Sequence, residues 1–266
     1  LGQAIGEPNV VTFDMGGTST DIAVLVNGQH QESRDGKISH QDVGTPMIHI
    51  NTLGAGGGTI AWIGPDGLLK AGPQSAGAMP GPACYGNGGE QAAVTDANLV
   101  LGYLEPSALV GGKVKLDAAL SRDAIRRRVA EPLGLSLEEA ALGIVKVVNV
   151  NMEVDTRLTF AERGLDHRNF ALVAFGGAGP VHATRVARNV GIPRVVVPPY
   201  PGISCAMGLL QTDVKHFYLR SHPSPLTVMP VETINSLFRE LEGRALDEAK
   251  LEGFSLDQVE LLHQMD

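Results

Sequence analysis

Two short runs of β-forming residues, Asn9–Phe13 and Asp21–Val26, flank the stretch Asp14-Met-Gly-Gly-Thr-Ser-Thr. So short a connection cannot carry a crossover between parallel strands, which takes a dozen residues or more. The pair is therefore expected to be an antiparallel hairpin with glycines at its tip. Asn27-Gly28, a tight-turn dipeptide, closes the second arm. A weaker third strand is expected over His30–His40.

From Gly44 to Gly112 the texture changes to Gly54-Ala-Gly-Gly-Gly58, Gly81-Pro-Ala-Cys-Tyr-Gly86 and Gly88-Gly89. This reads as a long, ordered glycine-rich insertion with little helix. Regular structure then returns. A short helix is expected over Leu116–Val129. Ser136-x-x-Glu139 is a capping box opening a long helix whose apolar residues Ala141, Ile144, Val145, Val148 and Met152 follow the helical period. Gly164 is the expected C-cap. Phe170–Phe175 reads as a buried strand, and Gly176-Gly-Ala-Gly179 as a turn. Pro180 opens a helix that ends at Gly191. A strand over Arg194–Val197, a short helix over Ile203–Gln211 and an amphipathic helix over Thr233–Leu251 follow.

Three meandering strands, then two entering through helical crossovers, give an α/β fold: a mixed sheet flanked by helices. That is the order of the ribonuclease-H-like fold found in each half of the actin-like ATPases. One lobe is expected over 1–226, with the insertion at about 44–112 and a C-terminal helical segment over 227–266. Both ends are expected to continue into a longer protein, since the first residue is Leu1 rather than Met.

Composition narrows the function classes. A net charge of −8 with no basic cluster argues against a nucleic-acid partner. No apolar run nears the roughly 20 residues of a membrane helix, so no membrane partner is expected. Cys84 and Cys205 form no CxxC pair, which excludes a disulfide framework or zinc ribbon and points to a reducing, cytoplasmic setting. The 33 glycines among 266 residues point to tight loops of the kind that let backbone amides approach phosphate.

The hairpin tip carries the clearest chemistry. Amides of Gly16, Gly17 and Thr18 and hydroxyls of Thr18, Ser19 and Thr20 are candidate phosphate donors. Asp14 is the candidate Mg²⁺ residue, since hard cations prefer oxygen. Asp14 and Asp21 are the candidate catalytic carboxylates of the tip. Gly176, Gly177, Ala178 and Gly179, between a buried strand and a helix, suit a nucleotide against a helix N-terminus. No full GxGxxG or GxxxxGK[ST] occurs, which excludes a dinucleotide site and a P-loop.

In the insertion, Asp96 and His49 are candidates for metal binding or water activation. Capping of a helix is the structural alternative for Asp96. Cys84 is either a nucleophile or, as free cysteines mostly are, a buried small hydrophobe. His182 either faces the cleft or packs. Asn149, Asp155 and Arg157 read as helix-face residues.

Asp14-Met-Gly-Gly-Thr-Ser-Thr-Asp21, Gly54–Gly58, Ser75-Ala-Gly77, Pro80–Gly86, Thr95-Asp-Ala-Asn98 and Phe175-Gly-Gly-Ala-Gly-Pro180, in that order, resemble the hydantoinase A/5-oxoprolinase family. The resemblance covers about residues 9–213. It implies an actin-like ATPase with an earlier lobe carrying its own phosphate loop. Asp14–Asp21 would be the second phosphate loop and Gly176–Gly179 the adenosine loop. The implied cofactors are ATP and Mg²⁺, and the implied reaction is ATP-dependent opening of a cyclic amide of the hydantoin or 5-oxoproline type. The implied partners are the N-terminal lobe and a hydantoinase B-like subunit. An acetone-carboxylase-type subunit activating a ketone or bicarbonate, a non-catalytic nucleotide-binding scaffold and, more weakly, a small-molecule kinase stand as alternatives.

Overall fold

The computed structural model describes residues 1–30, 32–33, 36–38, 41–43, 47–107 and 115–265. β1 (Val10–Met15) and β2 (Thr20–Val26) are the arms of the hairpin, in register from Val10↔Leu25 to Met15↔Thr20. On its other edge β2 pairs first with β3 (Gln29–His30). Two small ribbons follow, β4 (Glu32–Ser33) with β7 (Met47–Ile48) and β5 (Gly36–Ile38) with β6 (Gln41–Val43). The chain then returns as β8 (Asn51–Leu53) to pair with the tip end of β2. β9 (Thr59–Ile63) and β10 (Leu69–Ser75) make a separate hairpin.

The helices are α1 (Val94–Val100), α2 (Ala118–Ile125), the single turn α3 (Glu131–Leu133) and α4 (Leu137–Ala161). Next come β11 (Ala171–Phe175), α5 (Gly179–Val190), β12 (Arg194–Val196), α6 (Ser204–Leu209) and α7 (Val231–Leu251). The main sheet runs β12-β11-β1-β2-β3, with β8 also on β2. β1–β11 and β11–β12 are parallel and the remaining ladders antiparallel, so the sheet is mixed as expected.

Alternation sets the sheet's two faces. Val11, Phe13 and Met15 of β1, Ile22 and Val24 of β2 and Leu172 and Ala174 of β11 are buried on one face, which α4 and α5 cover. Along α4, Ala141, Ile144, Val145, Val148 and Met152 are buried at the helical spacing. The predicted capping box is present: Ser136 Oγ accepts from Glu139 N at 3.2 Å, and Glu139 Oε2 accepts from Ser136 N at 2.9 Å. On the opposite face Thr12, Asp14, Asp21 and Ala23 are half-buried.

Two expectations change. The described residues of the third strand expected over 30–40 do not all join one ladder: His30 pairs with β2, Glu32–Ser33 with β7 and Gly36–Ile38 with β6. Residues 31, 34–35 and 39–40, like 44–46 and 108–112 at the ends of the expected insertion, lie outside the described residues. The stretch between those ends is less irregular than expected. It contains the β9–β10 hairpin and α1, whose residues Val94–Leu99 are all buried.

Asp96 explains how so glycine-rich a stretch is held. It is fully buried, and each oxygen accepts two hydrogen bonds. Oδ1 accepts from Cys84 N at 2.9 Å and Ser121 Oγ at 2.7 Å, and Oδ2 from Ala83 N at 3.1 Å and Ala93 N at 3.0 Å. One carboxylate thus fastens the Ala83–Tyr85 turn, the start of α1 and α2. Packed against it, Cys84 is buried, and burial followed by the Asp96 charge pushes its thiol far up, which keeps it protonated.

Contacts divide the chain into two compact units, Leu1–Leu209 and Leu210–Asp266. Within the second, α7 is tied to flanking segments by Arg220–Glu240 at 3.5 Å and His263–Glu242 at 2.8 Å, with His263 stacked on Phe238. Among the described residues no helix is long and apolar enough to cross a membrane.

Asp96→Ala leaves four donors without their acceptor. It is expected to destabilise the protein by roughly 3 kcal/mol or more, measured by denaturant unfolding. A loss under about 1 kcal/mol would contradict the clamp.

Candidate functional site

Asp14 and Asp21 sit directly opposite each other across the β1–β2 ladder, next to the tip. Directly opposed residues on one face have Cβ atoms about 5 Å apart, so the two carboxylates are close like charges. Each spends one oxygen on a neighbour. Asp21 Oδ1 accepts from Thr52 Oγ1 of β8 at 2.6 Å, and Asp14 Oδ2 accepts from Cys205 Sγ of α6 at 3.0 Å. The hydrogen bond to Asp14, then burial, then the charges of Asp14 and Asp21 push the Cys205 thiol up to about 11. Cys205 is therefore a neutral donor at physiological pH.

The tip is shaped by backbone-to-backbone contact. Gly16 N donates to Ser19 O at 2.9 Å, so this amide closes the turn and is not presented to an anion. The Gly54–Gly58 run lies against the tip: Gly57 N donates to Gly16 O at 3.0 Å and Gly58 N to Gly17 O at 2.6 Å. Thr20 is fully buried, and its hydroxyl donates to Ala55 O at 2.6 Å. Gly17 and Thr18 are exposed and Ser19 is half-buried. The solvent-facing part of the predicted phosphate loop is thus Gly17–Ser19.

The second glycine turn meets the same end of β1. Asp14 pairs with Phe175 in the parallel β1–β11 ladder, and Ala178 N donates to Met15 O at 2.9 Å. Gly176 adopts φ +80°, and a side chain there would collide with Asp14 Oδ1 and the Met15 carbonyl. Only glycine fits, because the turn passes over Asp14 itself. Gly177 is exposed, with open space where a side chain would project. The hairpin tip and the Gly176–Gly179 turn therefore flank Asp14 with bare backbone.

The remaining candidates lie elsewhere. Asp96 is committed to the clamp. His49 is exposed and hydrogen-bonds Arg163 through Nδ1. His182, 1% exposed, bridges two asparagines: Asn98 Nδ2 to its Nε2 at 3.0 Å, and its Nδ1 to Asn149 Oδ1 at 2.7 Å. Burial pushes the imidazole down to about 4, so the ring is neutral near pH 7. Because Nε2 accepts from Asn98, Nδ1 carries the proton it donates to Asn149. Asn149 is thus a buried partner rather than a simple helix-face residue. Asp155 is half-buried on α4, and Arg157 hydrogen-bonds Asn189 O. Cys205 is the site residue that the sequence does not disclose; nothing within ten positions of it signals a partner 191 residues away.

A family model described as hydantoinase/oxoprolinase matches residues 1–218. The chain belongs to that family. It is 42% identical over 259 residues to the caprolactamase alpha subunit of Pseudomonas jessenii, covering 97% of this chain and 37% of that protein. It is 39% identical to 5-oxoprolinase 1 of Arabidopsis thaliana over 78% of this chain and 18% of that protein. Among solved structures, nucleotide-free acetone carboxylase, an enzyme of ATP-dependent acetone carboxylation, superposes with a TM-score of 0.85 at 32% identity, over 97% of this chain and 38% of that one. The chain thus spans well under half the length of these relatives.

The Cys205–Asp14 contact makes a pH-dependent prediction. Alkylation of Cys205 by iodoacetamide, followed by peptide mass spectrometry, should rise with a midpoint near pH 11. Asp14→Asn removes the main cause and should move the midpoint toward the ordinary thiol value of about 8.5. Identical profiles in both proteins would contradict the contact.

Proposed function

We propose that residues 1–226 form one ribonuclease-H-like lobe of an actin-like ATPase, with a glycine-rich insertion over about 44–112, and that the whole protein opens a cyclic amide at the expense of ATP. The observation that carries this reading is the pair Asp14 and Asp21 between two bare-backbone tips. Two adjacent carboxylates repel phosphate, so the tips can serve an anion only if a divalent cation lies between. The donor set fits Mg²⁺, which takes carboxylate oxygens together with phosphates. Asp14 and Asp21 would hold it, and its charge would offset that of the phosphates. Gly17, Thr18 and Ser19 would face the phosphates, and Gly177 and Ala178 the rest of the nucleotide.

Amides resist hydrolysis because resonance makes nitrogen a poor leaving group. ATP, when bound, would supply a phosphoryl group to the carbonyl oxygen; that would remove the resonance, so that water could add at the ring carbon and the C–N bond break with the nitrogen leaving as the amine. In balance, the cyclic amide, ATP and two waters give the ring-opened amino acid, ADP and phosphate. The N-terminal lobe of the full-length protein would close the cleft, and a hydantoinase B-like subunit is the expected partner. We assign Asp96 to the scaffold, and leave His49 as a surface candidate for substrate contact.

A second reading, activation of a ketone for carboxylation, is favoured by the 0.85 TM-score to acetone carboxylase. Product analysis separates the two. Ring-opened amino acid from a lactam, 5-oxoproline or hydantoin supports the first, and bicarbonate-dependent carboxylate formation from a ketone supports the second.

In the full-length protein with its partner subunit, Asp14→Ala should lower ATP-dependent turnover on the order of 10²-fold or more while unfolding stays cooperative with no loss of midpoint. Near-native turnover would eliminate Asp14 as the cation residue.

A further inference from the structure

The Asn98–His182–Asn149 chain lies outside the hairpin, yet one member sits on a helix bonded to the first glycine turn and another on the helix that opens from the second. α1 is fastened to the hairpin through its first turn. Thr95 N and Thr95 Oγ1 both donate to Gly57 O, at 2.7 and 2.8 Å, and Gly57 N donates to Gly16 O. Asn98 follows Thr95 by three residues, one helical turn on, and is buried. α5 begins at Gly179, the last residue of the second glycine turn, and His182 lies in its first turn. Asn149 belongs to α4, the long helix beneath the sheet. One imidazole therefore connects the helix tied to the first turn with the helix that opens from the second, against α4.

We infer that His182 is a positioning residue that, beyond the β1–β11 ladder and the Ala178 N–Met15 O bond, fixes the separation of the Gly17–Ser19 tip and the Gly176–Gly179 turn. This inference rests on the nucleotide reading above. A purely apolar contact among α1, α4 and α5 would pack these helices without fixing their register. A buried hydrogen-bonded chain accepts only one arrangement. Geometry supports this role: Nε2 and Nδ1 point to opposite sides of one rigid ring, so a shift of α5 relative to α1 breaks one bond or the other.

The test replaces the chain with apolar groups of similar size, Asn98→Leu/Asn149→Leu/His182→Phe, in the full-length protein with its partner subunit. Removing all the partners together avoids stranding a buried polar group, so folding should be retained. Thermal midpoint, MgADP affinity by calorimetry, and KM for ATP and for the cyclic amide are measured. A positioning role predicts a near-native midpoint, weakened MgADP binding, kcat/KM for ATP lower on the order of 10²-fold, and an unchanged KM for the amide. Native MgADP affinity and kinetics in the variant would overturn the inference. If the triple variant does not fold, His182→Gln, which keeps one of the two bonds, is measured in the same way. It should lose part of the same affinity, and native values would overturn the inference equally. Wild-type protein that binds no MgADP at all would overturn the nucleotide reading instead.

Discussion

The Gly54–Gly58 run touches the hairpin tip backbone against backbone, and much of the site follows from that contact. A Cβ on Gly56 would lie 2.6 Å from Gly17 C and Thr18 N, closer than any real side chain comes. One on Gly57 would meet Thr95 Oγ1 at 2.8 Å, and one on Gly58 the Gly17 carbonyl at 2.9 Å. Without side chains the two strips hydrogen-bond directly, and further bonds radiate from them. Thr95 reaches Gly57 O, and Ala76 N reaches Gly58 O at 2.8 Å. The tip is therefore held from behind by α1 and the Ser75–Gly77 turn, while its Gly17–Ser19 side stays open. A loop built this way presents amides with little reorganisation, which is what binding an anion requires.

Electrostatics then decides what the tip can bind. Asp14 and Asp21 face each other across one ladder position, an arrangement that destabilises a sheet unless it is compensated. Hydroxyl and thiol donors from Thr52 and Cys205 compensate in part, since both are neutral. The proposed divalent cation would compensate more. The opposed carboxylates and the glycine-only turn over Asp14 together bring backbone close to a charge centre that side chains would obstruct. The Asp96 clamp and the His182 bridge hold the surroundings with buried polar groups, and polar groups specify one arrangement where apolar packing tolerates several.

Much of this was legible in the sequence where the signal is local. The hairpin follows from the length of its connection, α4 from its capping box and apolar period, and the end of α5 from Gly191, at φ +97°, whereas α4 ends at Ala161 with Glu162 as its C-cap, two residues before the expected Gly164. The part that was not legible is pairing across distance. Asp96 finds its partners 12, 13 and 25 positions away, His182 at 33 and 84, and Asp14 meets Cys205 at 191. Periodicity says which face of an element is buried, and leaves open what it is buried against. Asp96 shows the consequence: a carboxylate in a glycine-rich stretch reads as chemistry, and only its four partners reveal a clamp. The third strand is a related case: Gln29–His30 pairs with β2, and the returning β8 takes the tip end of the same edge.

Asp14 and Asp21 are proposed to hold a divalent cation between two phosphate-facing glycine turns. Diffraction from the full-length protein crystallised with Mn²⁺ and a non-hydrolysable ATP analogue tests it most directly. The expected result is an anomalous manganese peak within coordination distance of the Asp14 and Asp21 carboxylates, with phosphate oxygens against the amides of Gly17–Ser19 and nucleotide beside Gly177. Manganese and nucleotide bound together elsewhere, with both carboxylates free of metal, would contradict it.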